Sequence, residues 1–251
     1  RMTAPMYLET PQGRRLAYHK TEGTGPCVVF LGGLKSDMMG TKAVFLEDWA
    51  KREGRAFLRF DYSGQGESSG AFTEGCIGDW AEDTLAAVEA LTEGPILPVG
   101  SSMGGWQSLL LVRALPARIA GLVTIAAAPD FTEDGYWASF TEAQKKTLAE
   151  TGQVELPSDY MEPYIITRRM IEDGRKRLVL RDPLNLPFPV RLLQGTADTA
   201  VSTATAVRLL EHAQSPDMQL TLVKDADHRF SDARCLAMIV EAINAVSGDA
   251  G

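Results

Sequence analysis

One serine of this chain has the sequence context that covalent catalysis requires. The stretch Gly100-Ser101-Ser102-Met103-Gly104 follows the pattern G-x-S-x-G. The apolar run 95–99 before it predicts a buried strand, and the apolar spacing over 105–115 predicts a helix after it. A strand, a sharp turn and a helix make a nucleophile elbow, which holds the serine hydroxyl at the helix N-terminus. We therefore predict that Ser102 is a nucleophile rather than part of an ordinary glycine-rich turn.

A serine hydroxyl is a weak nucleophile at neutral pH and needs a base to accept its proton. The chain has three histidines. His19 falls in a predicted N-terminal hairpin, and His212 falls in a predicted amphipathic helix. His228 follows the predicted strand that ends at Val223 and precedes the last helix. Because a loop at the carboxyl end of a strand can reach the elbow, we predict that His228 is the general base.

The base in turn needs an acid that fixes its tautomer. Asp198 follows the predicted strand 190–194 at its carboxyl end and is the leading candidate. Asp130 follows an earlier strand and is a rival. Asp227 adjoins His228 in sequence, and a loop or capping role suits it better. The order serine, aspartate, histidine matches the order of the α/β-hydrolase triad.

An acyl-transfer site also needs two N–H donors for the oxyanion of the intermediate. The backbone N–H of Met103, directly after the serine, is one predicted donor. The second is predicted in the loop after the strand 27–31, at the N–H of Leu34. Leu31 stands where a histidine usually precedes the glycines of this loop. Because the donors are backbone groups, this difference does not abolish the predicted oxyanion hole.

Strands and helices alternate along the chain, which predicts parallel pairing with helices on both faces of one sheet. The first 24 residues predict an antiparallel strand–turn–strand edge. The predicted strands are 7–10, 14–18, 27–31, 56–60, 95–99, 121–126, 190–194 and 219–223, and the predicted helices are 42–53, 77–91, 105–115, 142–150, 161–173, 203–213 and 231–246.

The alternation is interrupted between about 129 and 189, where helix-like pieces alternate with polar and proline-rich connections. We interpret 129–189 as a helical lid inserted into an α/β core made of 1–128 and 190–251. Ligands of such sheets bind beyond the carboxyl ends of the strands, where the elbow and the lid would meet. Aromatic residues of this segment could line an acyl pocket or pack the lid against the core; they are Phe131, Tyr136, Trp137, Phe140, Tyr160 and Tyr164.

Composition and charge exclude several classes of protein. A net charge of −8 gives no basic surplus to neutralise phosphates, so we expect no nucleic-acid partner. No apolar run approaches the roughly 20 residues that span a bilayer, and no secretory signal is visible, so we expect neither an integral membrane protein nor secretion. Three widely spaced cysteines and few histidines favour a reducing, cytosol-like compartment and no metal site. We expect no organic cofactor, and the sequence does not indicate an oligomeric state.

Four stretches carry a resemblance to a particular branch of the α/β-hydrolases. They are Met-Gly-Thr-Lys-Ala at 39–43, Arg-Phe-Asp-Tyr-Ser-Gly at 59–64, the serine motif through Gly105 and Trp106, and Asp-His-Arg at 227–229. The chain resembles α/β-hydrolases over about nine-tenths of its length, and these stretches resemble the mitochondrial palmitoyl-protein thioesterase and acyl-glucuronide esterase branch. The resemblance implies a serine hydrolase of small esters or acyl thioesters, including S-acylated proteins. It also implies either a bacterial cytoplasmic protein or a mature mitochondrial form.

Two other functions stay open on the sequence alone. The same fold and triad would serve a serine peptidase or amidase, because the sequence does not show when the leaving group is protonated. A hydrolase fold can also serve as a binding protein without catalysis, although binding requires none of the three triad residues. The loop Asp-Tyr-Ser-Gly-Gln-Gly-Glu-Ser at 61–68 lacks the spacing and the lysine of a phosphate-binding loop, and we interpret it as a structural turn.

Overall fold

The computed structural model describes residues 3–158 and 163–248 of the chain. The strands among these residues are β1 (Met6–Glu9), β2 (Arg15–Thr21), β3 (Thr24–Leu31), β4 (Arg55–Phe60), β5 (Ile96–Ser101), β6 (Leu122–Ile125), β7 (Gln153–Leu156), β8 (Tyr164–Thr167), β9 (Leu184–Asn185), β10 (Val190–Gly195), β11 (Ala213–Gln214) and β12 (Met218–Val223). The α-helices are α1 (Thr41–Glu53), α2 (Ile77–Leu91), α3 (Met103–Ala114), α4 (Glu142–Thr151), α5 (Arg168–Gly174), α6 (Thr203–His212) and α7 (Ala233–Val246).

Eight of the strands form one sheet in the order β1-β2-β4-β3-β5-β6-β10-β12. The pairs β1–β2 and β2–β4 are antiparallel, and the six strands from β4 to β12 pair in parallel. The predicted α/β fold with a mostly parallel sheet and an antiparallel edge is confirmed. The carboxyl ends of the parallel strands therefore share one edge of the sheet, where the loops after β3, β5, β10 and β12 can meet.

Both faces of the sheet are covered because its central strands are apolar at successive positions. In β3, Val28 and Phe30 belong to one buried cluster, and Val29 and Leu31 belong to the other. Helices α1 and α7 complete the first cluster, whereas α2 and α3 contribute to the second. Each such side chain stabilises the fold by about 1.5–3 kcal/mol when fully buried. The two clusters fix the helices against the sheet and so fix the loops that join them.

The junction between β5 and α3 is a single residue, Ser102. The first turn of α3 approaches β3 so closely that a Cβ on Gly104 would lie 1.9 Å from the carbonyl oxygen of Leu31. A Cβ on Gly100 would lie 2.2 Å from the carbonyl oxygen of Gly104. Residues larger than glycine would therefore collide with backbone at either position, and the two glycines are what allow the turn to close.

The chain leaves the eight-stranded sheet after β6 and returns to it at β10. The described part of this segment holds a π-helical turn at Thr132–Trp137, helix α4, a β7–β8 hairpin and helix α5. Helix α4 begins with a capping box, in which Thr141 and Gln144 each accept a hydrogen bond from the other's backbone N–H. No described residue of the segment joins the large sheet.

The helix predicted over 161–173 is wrong over its middle part. Tyr164–Thr167 forms β8, which pairs antiparallel with β7, and the helix begins only at Arg168. Thr167 ends the strand and caps the helix, because its hydroxyl accepts a hydrogen bond from the Met170 N–H at 3.0 Å. The run of β-branched residues at 165–167 favours a strand over a helix. Residues 161–162 of the prediction lie outside the described residues.

No helix among the described residues is long and apolar enough to cross a membrane.

The close contact at Gly104 predicts a strict requirement for glycine. Gly104→Ala should lower the free energy of unfolding by about 3 kcal/mol or more, because the new methyl group meets backbone that cannot move aside. Gly135→Ala is the matched control, since its Cβ would make an ordinary 3.7 Å contact with Phe131. Thermal unfolding followed by circular dichroism measures both variants. Equal midpoints for the two would contradict the packing described here.

Candidate active site

Ser102 has the strained backbone of a nucleophile elbow, with φ 57° and ψ −116°. Its N–H donates to the carbonyl of Ile125 at 2.9 Å, and its carbonyl accepts from the N–H of Ala128 at 3.0 Å. Both partners belong to β6 or the loop after it, so the turn is fastened to the neighbouring strand. A non-glycine residue with positive φ costs of order 1–3 kcal/mol and persists only where the surrounding structure imposes it. The conformation that presents this hydroxyl therefore lowers the stability of the fold.

The structure brings Ser102, His228 and Asp198 together in one line of hydrogen bonds. The Ser102 Oγ lies 3.1 Å from Nε2 of His228, and Nδ1 of His228 lies 2.7 Å from Oδ2 of Asp198. A carboxylate can only accept, so Nδ1 carries the proton and Nε2 is free to accept from the serine hydroxyl. The side chain of Asp198 is fully buried, whereas that of His228 is 32% exposed. The imidazole is thus partly open to solvent, while its Nε2 is within hydrogen-bond distance of the Ser102 hydroxyl.

The Asp198 carboxylate is held on both oxygens. Oδ1 accepts from the backbone N–H groups of Ala200 and Val201, each at 2.8 Å. Oδ2 accepts from His228 and from Nε2 of Gln194 at 3.2 Å. Burial raises the pKa of Asp198, but hydrogen bonds from His228 and the two backbone amides outweigh it, and the pKa lies below its ordinary value. The group is an oriented carboxylate at neutral pH.

The loop that carries His228 is fixed by a hydrogen bond within the loop and by another from α1. The Asp227 carboxylate accepts from the N–H of Phe230 at 3.0 Å, which gives Asp227 the loop role expected for it. Nζ of Lys42, in α1, donates to the carbonyl of Arg229 at 2.5 Å. Burial lowers the pKa of Lys42 to about 8. Lys42 was visible in the sequence only as part of a motif, because its partner lies far along the chain.

Asp130, the rival acid, is committed to another task. It is fully buried and accepts from the backbone N–H groups of Val179 and Leu180 at 2.8 and 3.0 Å. Its Oδ2 also lies 2.7 Å from a guanidinium nitrogen of Arg181. These three partners belong to the chain that returns towards β10. Asp130 therefore fastens the returning segment, whereas His228 bonds to Asp198.

The other two histidines lie elsewhere in the fold. His19 is in β2, where burial and the nearby Arg59 lower its pKa. His212 ends α6, with Nε2 2.7 Å from the carbonyl of Asp182. Neither has a hydrogen bond to Ser102 or to Asp198 among the described contacts.

Two backbone segments border the serine where oxyanion donors are expected. Met103 is the first residue of α3, a position whose N–H has no acceptor inside the helix. On the other side, the loop after β3 passes so close that a Cβ on Gly33 would lie 3.4 Å from the Cβ of Ser102. Leu34, the predicted second donor, directly follows this contact.

A continuous set of aromatic rings leads from α3 into the segment between β6 and β10. Trp106 is fully buried, and its indole N–H donates to the carbonyl of Arg177 at 2.9 Å. Its ring centroid lies 5.5 Å from that of Phe131, which lies 5.4 Å from that of Tyr136. Phe131 and Tyr136 are only partly buried. Tyr160 lies outside the described residues.

No cluster of three or more metal-ligating side chains occurs within 3–158 and 163–248. A shallow groove of about 570 Å³ lies between α6 and β12, lined in part by Val207, Arg208 and Leu222. None of the residues at Ser102, His228 and Asp198 lines it. Hydrogen-bond geometry, rather than the volume of this groove, locates the candidate site.

The fold and the serine–histidine–aspartate arrangement are those of a hydrolase class. The family model for the α/β hydrolase fold matches residues 28–160. The chain belongs to the α/β hydrolase fold family.

Within this family the chain is similar to proteins named mitochondrial palmitoyl-protein thioesterase ABHD10. The relative from Rattus norvegicus is 34% identical over 244 residues, covering 96% of this chain and 82% of the relative. The relative from Homo sapiens is 33% identical over 244 residues, covering 96% of this chain and 79% of the relative. The resemblance seen in the sequence motifs is confirmed.

Solved structures give the same result. A protein from Agrobacterium vitis S4 superposes with a TM-score of 0.93 and 39% identity, covering 98% of this chain and 99% of that one. Alpha/beta hydrolase domain-containing protein 10 from mouse superposes with a TM-score of 0.89 and 33% identity, covering 97% and 98%. Both superpositions cover nearly the whole chain and confirm the predicted fold class.

The contacts of Asp130 predict that its substitution by asparagine destabilises the fold. Asp130→Asn should lower the free energy of unfolding by roughly 2–4 kcal/mol, because an amide NH₂ would face N–H donors and Arg181 would lose a buried partner. Asp48→Asn, on the exposed face of α1, is the control and should change stability little. Chemical denaturation measures both. An Asp130→Asn chain as stable as the parent would contradict the fastening role.

Proposed function

We propose that the chain is a serine hydrolase that cleaves carboxylic ester or acyl thioester bonds through an acyl-enzyme on Ser102. The observation that carries this proposal is the line of hydrogen bonds from Ser102 through His228 to the fully buried Asp198, at 3.1 and 2.7 Å. A buried carboxylate that orients a partly exposed imidazole towards a strained serine is the arrangement that nucleophilic catalysis requires. Membership of the α/β hydrolase fold family supports the same reaction class.

In the first step Oγ of Ser102 attacks the carbonyl carbon while its proton passes to Nε2 of His228. The bond to the sulfur or oxygen leaving group then breaks, and the leaving group takes that proton from His228. Water, deprotonated by the same nitrogen, then attacks the acyl-serine. The bond between the acyl carbon and Oγ breaks, Oγ takes the proton back from His228, and the carboxylic acid is released. Asp198 keeps Nδ1 protonated throughout and stabilises the imidazolium. All groups are supplied by the chain, and the reaction calls for no cofactor.

The oxyanion of each tetrahedral intermediate would accept from the N–H groups of Met103 and Leu34. The position of Met103 at the start of α3 supports the first donor, since the positive end of the helix dipole favours a developing negative charge there. The closeness of the Gly33 backbone to Ser102, where an added Cβ on Gly33 would lie 3.4 Å from the Cβ of Ser102, supports the second, because the next peptide group then lies near the nucleophile. Each donor of this kind contributes roughly 3 kcal/mol to the transition state in measured examples.

We propose long acyl thioesters, including S-acylated proteins, as the substrate class. The mitochondrial relatives are named palmitoyl-protein thioesterases. Phe131 and Tyr136 offer partly buried aromatic surface that reaches back to α3 through Trp106. The segment 129–189 would then act as a lid whose inner side contacts the acyl chain, between the two parts of the core at 1–128 and 190–251.

A reducing compartment is the proposed location, either a bacterial cytoplasm or the interior of a mitochondrion. The relatives are named mitochondrial. All three cysteines of the chain, Cys27, Cys76 and Cys235, are buried and free, and burial raises the pKa of each thiol to about 11. Buried thiols of this kind are unreactive, and the fold uses no disulfide among these three cysteines that an oxidising compartment would have to form.

Removing the nucleophile should abolish turnover. Ser102→Ala should lose hydrolysis of p-nitrophenyl esters and labelling by a fluorophosphonate probe, because no other hydroxyl lies in line with His228 in the described contacts. Ser101→Ala, one residue earlier, is the matched control and should keep both. Normal turnover by Ser102→Ala would contradict the assignment of Ser102 as the nucleophile. Asp198→Asn should lower kcat by about 10⁴-fold, as loss of the orienting carboxylate does in a measured triad. Asp130→Asn, compared at equal folded concentration, should not.

Acyl chain length separates a thioesterase for lipid chains from a general esterase. Each methylene that the aromatic surface buries is worth about 0.8 kcal/mol, so kcat/KM should rise about fourfold per CH₂ until the pocket is filled. Phe131→Ala should weaken this dependence, whereas Ser139→Ala, on the exposed side of the same segment, should not. Rates on acyl thioesters from two to sixteen carbons measure it. A strict preference for short chains would count against depalmitoylation.

A further inference from the structure

The loop between β3 and α1 is irregular, yet three of its successive peptide groups are each fixed by a hydrogen bond. The carbonyl of Gly32 accepts from the hydroxyl of Tyr62 at 2.9 Å. The carbonyl of Gly33 accepts from the N–H of Ser36 at 3.3 Å. The N–H of Lys35 donates to Oε1 of Gln65 at 2.6 Å. Two of the three partners come from the loop at 61–68 rather than from the fixed loop itself.

These bonds set the direction of the peptide group in the middle. In a trans peptide the C=O and the following N–H point in opposite directions. Because the Gly33 carbonyl faces Ser36, the N–H of Leu34 faces away from it. Within the described parts of the chain, the Leu34 N–H donates no hydrogen bond to another protein group. An oriented N–H without a protein acceptor, next to a residue whose backbone runs close to Ser102, is what an oxyanion donor requires.

The conformation of this loop is strained at the residue that Gln65 holds. Lys35 has φ 57°, in the left-handed region that a side chain disfavours. Without a partner, the Lys35 N–H could turn towards solvent by rotation of the Leu34–Lys35 peptide group. That rotation would shift the adjoining peptide group, which carries the Leu34 N–H. The short bond to Gln65 opposes that rotation directly.

Gln65 occupies its place at a cost. It is 5% exposed, and its Nε2 has no hydrogen-bond partner among the described residues. Leaving a buried N–H donor unpaired disfavours the folded state, and such groups call for an explanation. The amide cannot turn round to satisfy Nε2 without withdrawing the oxygen that holds Lys35.

The carboxylate of Asp61 ties the same two loops together further along. Oδ1 of Asp61 accepts from the N–H of Met38 at 2.7 Å, and its Oδ2 accepts from the N–H of Glu67 at 2.9 Å. A Cβ on Gly66 would lie 2.2 Å from Oδ2 of Asp61, so glycine lets the 61–68 loop close around the carboxylate. The 61–68 loop is therefore braced before it reaches Gln65.

We propose that Gln65 and Tyr62 are positioning residues that orient the Leu34 N–H towards the oxyanion, an inference that rests on the proposed serine hydrolase function. Neither residue touches the reacting atoms. Gln65 acts through the Lys35 N–H, and Tyr62 acts through the Gly32 carbonyl. The loop at 61–68, interpreted from sequence as a structural turn, thereby contributes to catalysis.

The test compares two buried glutamines. Gln65→Met keeps the volume and removes the acceptor, whereas Gln107→Met is the matched control, since Gln107 is fully buried, donates to the carbonyl of Ile77 and also has one unpaired amide atom. Gln65→Met should lower kcat about tenfold or more with KM within about twofold of the parent, because an oxyanion donor acts in the transition state. An acyl trifluoromethyl ketone, whose adduct with serine carries the oxyanion, should bind Gln65→Met more weakly by the same factor. Gln107→Met should change the unfolding midpoint but neither kcat nor the affinity for the ketone.

Tyr62→Phe provides a second variant that removes only a hydroxyl, in case Gln65→Met does not fold. It should lower kcat and the affinity for the ketone together, by severalfold, with KM little changed. The proposal is overturned if the folded variants keep parental kcat, if only KM changes, or if kcat falls while the affinity for the ketone does not.

Failure of the proposed function has a different signature. It would appear as esterase activity that survives Ser102→Ala, or as a parent chain that neither hydrolyses esters nor reacts with a fluorophosphonate, and either result would overturn both proposals. A parent that depends on Ser102, together with Gln65→Met and Tyr62→Phe chains of parental kcat, would overturn the positioning role alone.

Discussion

The contact between the first turn of α3 and the end of β3 constrains every other part of the site. Only glycine at 104 allows the helix to approach the Leu31 carbonyl so closely, and that approach closes the turn at Ser102. The turn puts the serine hydroxyl above the carboxyl edge of the sheet in a conformation that costs stability. The helix N-terminus begins directly after Ser102, and the loop after β3 runs close to it. In the proposed mechanism, charge that develops on a substrate oxygen would be stabilised by N–H groups of these two segments with little reorganisation.

The remaining groups reach Ser102 from loops, and the structure restrains each loop separately. Backbone amides and Gln194 hold the Asp198 carboxylate, so the residue is oriented before it meets His228. Lys42, from α1, holds the loop that carries His228. Loops are the most mobile parts of most folds, and a displacement of about 1 Å can cost a hundredfold in rate. Local hydrogen bonds at Asp198 and a long-range one from Lys42 in α1 compensate for that mobility here.

The amino-acid sequence predicted the central geometry because parallel strands share an edge. Ser102, Asp198 and His228 each follow a predicted strand, and the α/β alternation alone requires that their loops gather at the same side. The same reasoning could not predict Lys42, Tyr62 or Gln65, whose partners are fixed by side-chain contacts between distant segments. It also could not separate Asp130 from Asp198 by position, since both follow parallel strands. Only the buried contacts of Asp130 with the returning chain show that it is already occupied.

Local signals were least reliable between β6 and β10. The apolar and charged residues around 164–173 fit a helical spacing, yet β8 takes the first four of them. The neighbouring β7 supplies a partner strand, and β-branched side chains pack well on a hairpin. In the core, by contrast, the sheet and its two apolar clusters select one state for each segment, and the helix α2 has the bounds that the spacing predicted. Tertiary context decides the ambiguous segments, and a sequence read locally does not contain it.

The central claim is that Ser102 forms a covalent acyl-enzyme, and the most direct measurement is the site of that bond. The chain would be mixed with an acyl thioester, quenched in acid within its first turnovers, digested and sequenced by tandem mass spectrometry. The account predicts an acyl mass on the peptide that contains 100–106, with fragment ions that place it on Ser102. An acyl group on Ser101 or on any other residue, or hydrolysis that proceeds with no acyl-enzyme under conditions where deacylation is slow, would contradict it.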